Sequence, residues 1–242
     1  MKKTLVAIAF AFSCVTLSSC GGLHEVVNQM AQQNTQSQVG QTQIANGLKE
    51  ALQLGISQQV KTLTTENGFY ANELVRITLP DELKEVEKTL RSVGLGNYAD
   101  QGIKALNQTA ALAVKEATPI FVNAISNLTI TDAKQILMGA NNAATTYLEQ
   151  TTSEQLYSKF TPIIQKKFAD AGADKIWTEL ISTYNQIPLV KKVNPDLTDY
   201  VAKQAMNGVY TMIAQEEVKI RTDVTNRSTI LLQSVFALQD HK

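Results

Sequence analysis

Residues 44–63 read IANGLKEALQLGISQQVKTL. Ile44, Leu48, Leu52, Ile56, Val60 and Leu63 recur about every fourth position, with Lys49, Glu50, Gln53, Gln58 and Lys61 between them. That period places the apolar side chains on one stripe of a helix, where a strand would need alternation. Asn67-Gly68 follows as a turn signal.

Working outward, the same period recurs nearly to the C-terminus. The short stretch Val75-Arg76-Ile77-Thr78-Leu79 alternates and reads as extended, but one strand cannot make a sheet. Pro80 is expected in the first turn of a helix striped by Leu83, Val86, Leu90 and Val93 and ended by Gly94. A third helix is expected over 98–116. Thr118-Pro119 reads as an N-cap followed by proline at N1, or as a kink in one long helix. Thr129 with Asp132 forms a capping-box pattern, and Gly139 closes the short helix it opens. A helix over 142–149 is expected next. A second capping box at Thr152 and Gln155 then opens another helix, which Pro162 should kink and Gly172 should end. Ile176, Trp177, Leu180, Ile181 and Tyr184 keep core spacing. Residues 187–196 form a proline-containing loop, and helices over 197–220 and 225–238 finish the chain. The fold class is all-α, a single bundle or orthogonal array of roughly eight or nine helices over 43–242.

Upstream the composition changes. Residues 20–42 are rich in Gln, Asn, Ser and Thr and offer little apolar surface to offset ordering, so they read as a tether. Val26, Val27 and Met30 keep helical spacing and leave a frayed helical extension as the alternative. Before the tether, Lys2 and Lys3 precede an uncharged apolar run from Leu5 to Leu17. The run is too short to span a bilayer and has the length of a signal-peptide core, so 1–19 reads as a signal peptide. It ends in Leu17-Ser18-Ser19-Cys20-Gly21, which resembles the lipobox of bacterial lipoproteins. The alternative is an ordinary secretory signal with an incidental cysteine. The resemblance implies cleavage before Cys20, acyl chains on that cysteine as the membrane partner, and a periplasm-facing place in the cell envelope. Gly21 in place of Asp leans towards the outer membrane.

The chain has two cysteines, Cys14 and Cys20. With one removed in the signal and the other lipidated, no intramolecular disulfide is expected and stability must come from packing. Of 22 Lys+Arg and 22 Asp+Glu, Lys2 and Lys3 leave with the signal, so the mature chain carries 20 basic residues against 22 acidic ones, a net charge of −2. Such a balance draws no nucleic acid. The two histidines, His24 and His241, stand in the tether and the tail. That argues against Ser–His or Cys–His catalysis and most zinc sites. With no P-loop, G-x-S-x-G or G-x-G-x-x-G, no cofactor is predicted.

The polar residues worth following are Arg76, Tyr184, Asn185, Asp199, Glu216, Glu217 and Arg221. Glu217 and Arg221 are four apart on a predicted helix and can pair on one face. Arg76, drawn inward by Val75, Ile77 and Leu79, is expected to pair with Asp199, Glu216 or Glu217 and to close the bundle; the functional alternative is anion binding. Tyr184-Asn185 either lines a groove or caps a helix. Asn107-Gln108-Thr109, Asn127-Leu128-Thr129 and Asn226-Arg227-Ser228 match a glycosylation sequon by chance.

Several stretches carry a family resemblance: Gly47-Leu48-Lys49-Glu50-Ala51-Leu52, Arg76-Ile77-Thr78-Leu79-Pro80, Thr118-Pro119-Ile120-Phe121, Asp132-Ala133-Lys134, Ala143-Ala144-Thr145-Thr146-Tyr147-Leu148, Phe160-Thr161-Pro162-Ile163, Tyr184-Asn185, Glu216-Glu217 with Ile220-Arg221, and Val235-Phe236. In these, from Gly47 to the end, the chain resembles the DUF4197 family of bacterial proteins. The resemblance implies an exported, all-helical domain and supplies no activity. The expected function is therefore a lipid-anchored, non-enzymatic binding or structural domain whose partner, a protein or an apolar ligand, is not named by the sequence. Two rivals stand beside it. A carrier of a lipid or other apolar ligand would need a cavity lined by Phe121, Phe160, Phe168 and Trp177. A carboxylate-only hydrolase would need two acids facing each other across a cleft.

Overall fold

A computed structural model describes residues 40–92, 94, 96–170, 177–178, 181–182, 185–186, 192 and 196–240. The signal segment, Cys20, nearly all of the tether, Gly172, Tyr184 and most of the 187–196 loop lie outside the described residues. Within them are eight α-helices: α1 (Gln41–Leu63), α2 (Lys84–Ser92), α3 (Gly96–Val114), α4 (Ala117–Ser126), α5 (Ile130–Leu137), α6 (Ala143–Asp170), α7 (Thr198–Thr222) and α8 (Ile230–Phe236). Single 3₁₀ turns occupy Asp81–Leu83 and Val224–Asn226, and no described residue is in a strand. The all-α class read from the sequence is the class observed.

The apolar stripe of α1 is buried throughout: Ile44, Leu48, Leu52, Ile56, Val60 and Leu63 all lie in the core. On that face α1 packs against α4, α5, α7 and α8, while α7 also packs against α3 and α6. Helices α1 and α7 thus share the centre, and the other described helices, the 28-residue α6 among them, complete the shell.

After α1 the chain reverses at Asn67, whose φ of 61° puts it in the left-handed region that Asn tolerates better than most residues. Phe69 then inserts into the core at 1% exposure. Its ring needs Gly208 on α7, where an added Cβ would stand 2.7 Å from Phe69 Cε1.

Of the alternating segment, Val75 ends a hydrogen-bonded turn and residues 76–79 form neither helix nor strand, with Val75, Ile77 and Leu79 buried and Arg76 and Thr78 exposed. A side chain replaces the missing neighbouring strand. The Ile77 N–H donates to Asn107 Oδ1 at 2.8 Å, and Asn107 Nδ2 donates back to the Ile77 carbonyl at 2.7 Å. The same Nδ2 also reaches the Ile103 carbonyl at 2.7 Å, which fixes the amide to α3. A buried backbone outside helix and sheet needs such partners.

Three sequence expectations need correcting. Pro80 is the residue before the 3₁₀ turn, with φ −61° and ψ 156°, and not its first helical residue. Thr118 and Pro119 are neither cap and N1 nor a mid-helix kink: the break falls at Lys115-Glu116, Glu116 is the N-cap of α4, and Pro119 sits in the first turn, where no intrahelical donor is required. Thr152 opens no helix. Helix α6 is continuous for 28 residues, and Thr152 Oγ1 donates to the Leu148 carbonyl at 2.6 Å and meets Tyr210 Oη on α7 at 2.8 Å. The box motif was outweighed by a partner on another helix. Pro162 lies within α6, and the carbonyl it leaves without a helical donor belongs to exposed Ser158. The box at Thr129 is formed, with both reciprocal bonds to Asp132 at 3.0–3.1 Å.

Candidate functional site

The most polar part of the core lies where four helix ends meet. α5 ends at Leu137 and α6 begins at Ala143, so a C-terminus with orphan carbonyls and an N-terminus with orphan amides stand close together. Both face one turn of α7 that carries Glu217 and Arg221.

Glu217 accepts from the Ala144 N–H at 2.9 Å, the Thr145 N–H at 2.8 Å and the Thr145 hydroxyl at 2.8 Å. It thereby caps α6 with a negative charge, the sign a helix N-terminus favours. Arg221 turns the other way. Its Nη2 donates to the Ile136 carbonyl at 2.9 Å and its Nη1 to the Leu137 carbonyl at 2.9 Å, capping α5 with a positive charge. Nη1 also reaches Gln239 Oε1 at 2.8 Å, and Nε and Nη2 both reach Glu217 Oε1, at 3.0 and 2.7 Å. All five guanidinium N–H groups are thus engaged. The side chains are 2% and 5% exposed. A cavity of about 20 Å³ beside them, bordered by Leu48, Leu52, Ile213 and Phe236, has room for about one water.

A second buried arginine, which the sequence reading passed over as part of a chance sequon, continues the pattern. Arg227 Nε donates to the Ile220 carbonyl at 3.0 Å and Nη2 to the Arg221 carbonyl at 3.1 Å, closing the end of α7. Asp240 holds its far edge in a two-point pair at 2.6 and 2.8 Å. Gln239 Nε2 donates to the Arg221 carbonyl at 3.0 Å. The Phe236 ring lies 5.8 Å from both guanidinium carbons. Nothing in local spacing marks Arg227, because its partners are carbonyls and a residue 13 positions away.

The other polar residues singled out in the sequence are elsewhere. Glu216 points off the hub, accepts from Gln59 at 3.2 Å and pairs with Lys219 at 3.5 Å. Asp199 stands at the start of α7, roughly 27 Å of helix from Glu217. Its carboxyl is held below the usual range by the Lys203 ammonium at 2.9 Å and by the Tyr157 hydroxyl at 2.8 Å. Arg76 pairs with none of Asp199, Glu216 and Glu217, and no described carboxylate is within ion-pair distance of it. It is exposed and lies over the Tyr70 ring at 4.3 Å. The expectation failed because alternation sends Val75, Ile77 and Leu79 inward and Arg76 outward. Asn185 is half-buried; Tyr184 and Cys20 lie outside the described residues.

The four aromatics that a ligand-carrying cavity would need are separated in role. Phe121 packs edge-on against Tyr210 in the core at a centroid distance of 6.0 Å, and Phe160 is fully buried. Phe168 and Trp177 line an open cleft of about 280 Å³ beside Asp196 and Thr198.

The family model that matches the chain is described as a protein of unknown function, DUF4197, and the match covers residues 38–237. The chain belongs to the DUF4197 family. No curated protein and no solved structure matches it. Several stretches by which the DUF4197 resemblance is read converge on the buried hub. Leu48 and Leu52 border its cavity, Ala144 and Thr145 supply the capped amides, Glu217 and Arg221 form its ion pair, and Phe236 covers it.

Proposed function

We propose that this DUF4197 protein is a lipid-anchored protein of the cell envelope, held through lipid on Cys20 in the outer membrane and facing the periplasm. Its helical domain is a non-enzymatic binding or structural module. One observation carries the non-enzymatic part: Glu217 and Arg221, the ion pair with both side chains buried among the described residues, spend their hydrogen-bonding capacity on four backbone groups at two helix ends, on the Thr145 hydroxyl, on Gln239 and on each other. A catalytic acid or cation must keep valence for substrate. The anchoring part is supported by the order of charge, apolar run and Leu17-Ser18-Ser19-Cys20. No helix among the described residues is long and apolar enough to cross a membrane.

The test is metabolic labelling with a radioactive fatty acid. The wild-type protein should carry label and fractionate with membranes; Cys20→Ala should lose the label and accumulate unprocessed. Label retained on the alanine variant would end the lipoprotein reading.

A second reading, a carrier of an apolar ligand, is favoured by the cleft beside Phe168 and Trp177. Lipid co-purifying with the protein, and released by Trp177→Ala, would move the proposal to that reading.

A further inference from the structure

We propose that the outward face of α8, with the turn that precedes it, docks on the bilayer in which Cys20 is anchored. Such docking rests on the lipid anchor proposed above and adds to it the protein surface that meets the membrane.

Charge is scarce at this end of the domain. Residues 40–48 carry none, and among 224–239 the one charged residue is Arg227, buried and paired with Asp240. Asp223, just before, has its carboxylate turned back onto Thr225 and Asn226. Helix α8 reads Ile-Leu-Leu-Gln-Ser-Val-Phe, and Leu232, Val235 and Phe236 fill its inner face. Its outer face carries Ile230 at 83% exposure, then Ser234 and Leu238 at four-residue spacing, both exposed. Val224, in the 3₁₀ turn between α7 and α8, is 56% exposed. A helix without charge on any side is normally covered all round, and grouped exposed apolar side chains mark an interaction surface. Exposed apolar residues elsewhere stand among charges, as Leu74 does between Glu73 and Arg76, and Tyr98 beside Asp100.

The chain arrives from Cys20 at this same end. α1 starts at Gln41, and α8 crosses its first half, where a Cβ at Gly47 would meet Val235 and Leu231. The end of α7 lies there too: Ile220 and Leu48 border one cavity, whereas Gly208 meets Phe69 beyond the other end of α1. Cys20 precedes Gly40 by 20 positions, and a coil of that length spans about 25 Å. Helix α1 itself is about 35 Å long. A lipid on Cys20 therefore brings the α8 end to the bilayer before the Leu74 end. Anchoring makes the contact intramolecular in effect, so a few aliphatic side chains suffice. A second copy is the poorer occupant. Seven residues of helix are about 10 Å long and offer far less than the roughly 800 Å² that each partner of a stable dimer buries.

The experiment uses the full chain, purified from membranes in detergent and reconstituted into vesicles of phosphatidylethanolamine and phosphatidylglycerol. A thiol-reactive fluorophore is placed at Ser234→Cys, on the outward face of α8, or at Glu73→Cys, beside Leu74; both positions are exposed. Spin-labelled lipid should quench the dye at 234 and leave the dye at 73 bright. Ile230→Ser should shift the ratio of docked to free protein about tenfold towards free, as expected for one aliphatic side chain returned to water. Leu74→Ser, which removes an apolar side chain 63% exposed, should change nothing. In the unsubstituted chain, lipid on Cys20 leaves no thiol, so no dye should bind. Dye uptake there would remove the anchor, and the docking with it. With Cys20 blocked, no quenching at 234, equal quenching at 234 and 73, or quenching indifferent to Ile230→Ser would sink the docking and leave the anchor standing. Protection of the dye at 234 from aqueous iodide without quenching by lipid would put a protein surface there, a second copy included, and would overturn the docking as well.

Discussion

Glu217 and Arg221 stand one turn apart on α7 and cap opposite ends of two other helices, Glu217 the start of α6 and Arg221 the end of α5. The pair is therefore a joint between three helices, and each side chain neutralises the charge that makes the other costly to bury.

Removing both sides should cost less than the two single losses added together. Arg221→Ala strands the Glu217 carboxylate and the Ile136 and Leu137 carbonyls, and should cost about 3–5 kcal/mol. Glu217→Ala should cost a similar amount by stranding the guanidinium. The double variant should lose less than the sum of the two, with a coupling of about 0.5–3 kcal/mol. Trp177, the single tryptophan and buried, reports unfolding in urea. Strict additivity would show that the two charges do not depend on each other. Arg221→Lys should fail to rescue, since an ammonium cannot supply the five-donor fork.

Asn107 performs the work of a missing strand. Asn107→Leu should leave both the N–H and the carbonyl of Ile77 buried without partners, at a cost of about 2–5 kcal/mol for the two groups. Hydrogen exchange at the Ile77 amide should accelerate in the variant well beyond the change at α1 amides. Equal protection at Ile77 would mean that another group holds the segment.

How much of this was legible in the sequence follows from how local each signal is. The α1 stripe, the Asn67 turn, the inward set Val75, Ile77 and Leu79, and the Thr129 box rest on neighbours within a few residues, and periodicity exposes them. The Glu217–Arg221 spacing was visible for the same reason, but its purpose was not, because the capped amides lie 72 and 73 positions away. Thr152 carried a true local pattern that lost to Tyr210 across the helix pair. Arg76 shows the same failure in reverse: the burial of its neighbours was extended to a side chain that alternation turns outward.

Arg76→Ala should accordingly be nearly silent. With no ion pair among the described residues and one stacking contact on Tyr70, it should cost at most about 1 kcal/mol, the range of an exposed cation–π contact. Thermal unfolding of Arg76→Ala beside Arg221→Ala makes the comparison in one experiment. A loss of several kcal/mol from Arg76→Ala would restore the buried-pair expectation.

Acid should weaken the start of α5 through Asp132. Hydrogen bonds from the Thr129 hydroxyl and then from its backbone N–H hold this carboxyl below its ordinary value of 3.8. A carboxyl whose folded value is depressed stabilises the fold at pH above the unfolded value, and that contribution is lost as pH falls through the lower, folded value. Asp132→Asn should therefore lower the melting temperature at neutral pH and show a shallower decline below about pH 4 than the wild type. Asp100, lowered by Arg91, and Asp199, lowered by Lys203, titrate in the same direction and should keep the rest of the acid limb in both proteins. Parallel acid limbs for the wild type and Asp132→Asn would remove Asp132 from the effect.

The contact between α1 and α8 allows a prediction in which the sign of one substitution depends on another. Gly47 sits inside α1, where glycine is about 1 kcal/mol less favourable than alanine. Its place is explained by α8: a Cβ at position 47 would lie 2.5 Å from Val235 Cγ2 and 3.3 Å from Leu231 Cγ. Val235 is fully buried and cannot retreat without disturbing Phe236 beside the arginine pair. In the wild type, Gly47→Ala gains helix propensity but overpacks the crossing, which costs about 1–3 kcal/mol, so the net change should be a loss. Val235→Ala alone should also destabilise, by roughly 2–3 kcal/mol, through lost burial and the cavity left behind. In that background the closest clashing atom is gone, and the Cβ added at 47 enters the vacated space. Gly47→Ala should then stabilise the Val235→Ala protein, recovering about 1 kcal/mol or more. Urea unfolding of the four proteins closes the cycle. Should alanine at 47 destabilise equally in both backgrounds, steric exclusion by Val235 is not the reason for the glycine, and the crossing of α1 and α8 is set by Leu231 instead.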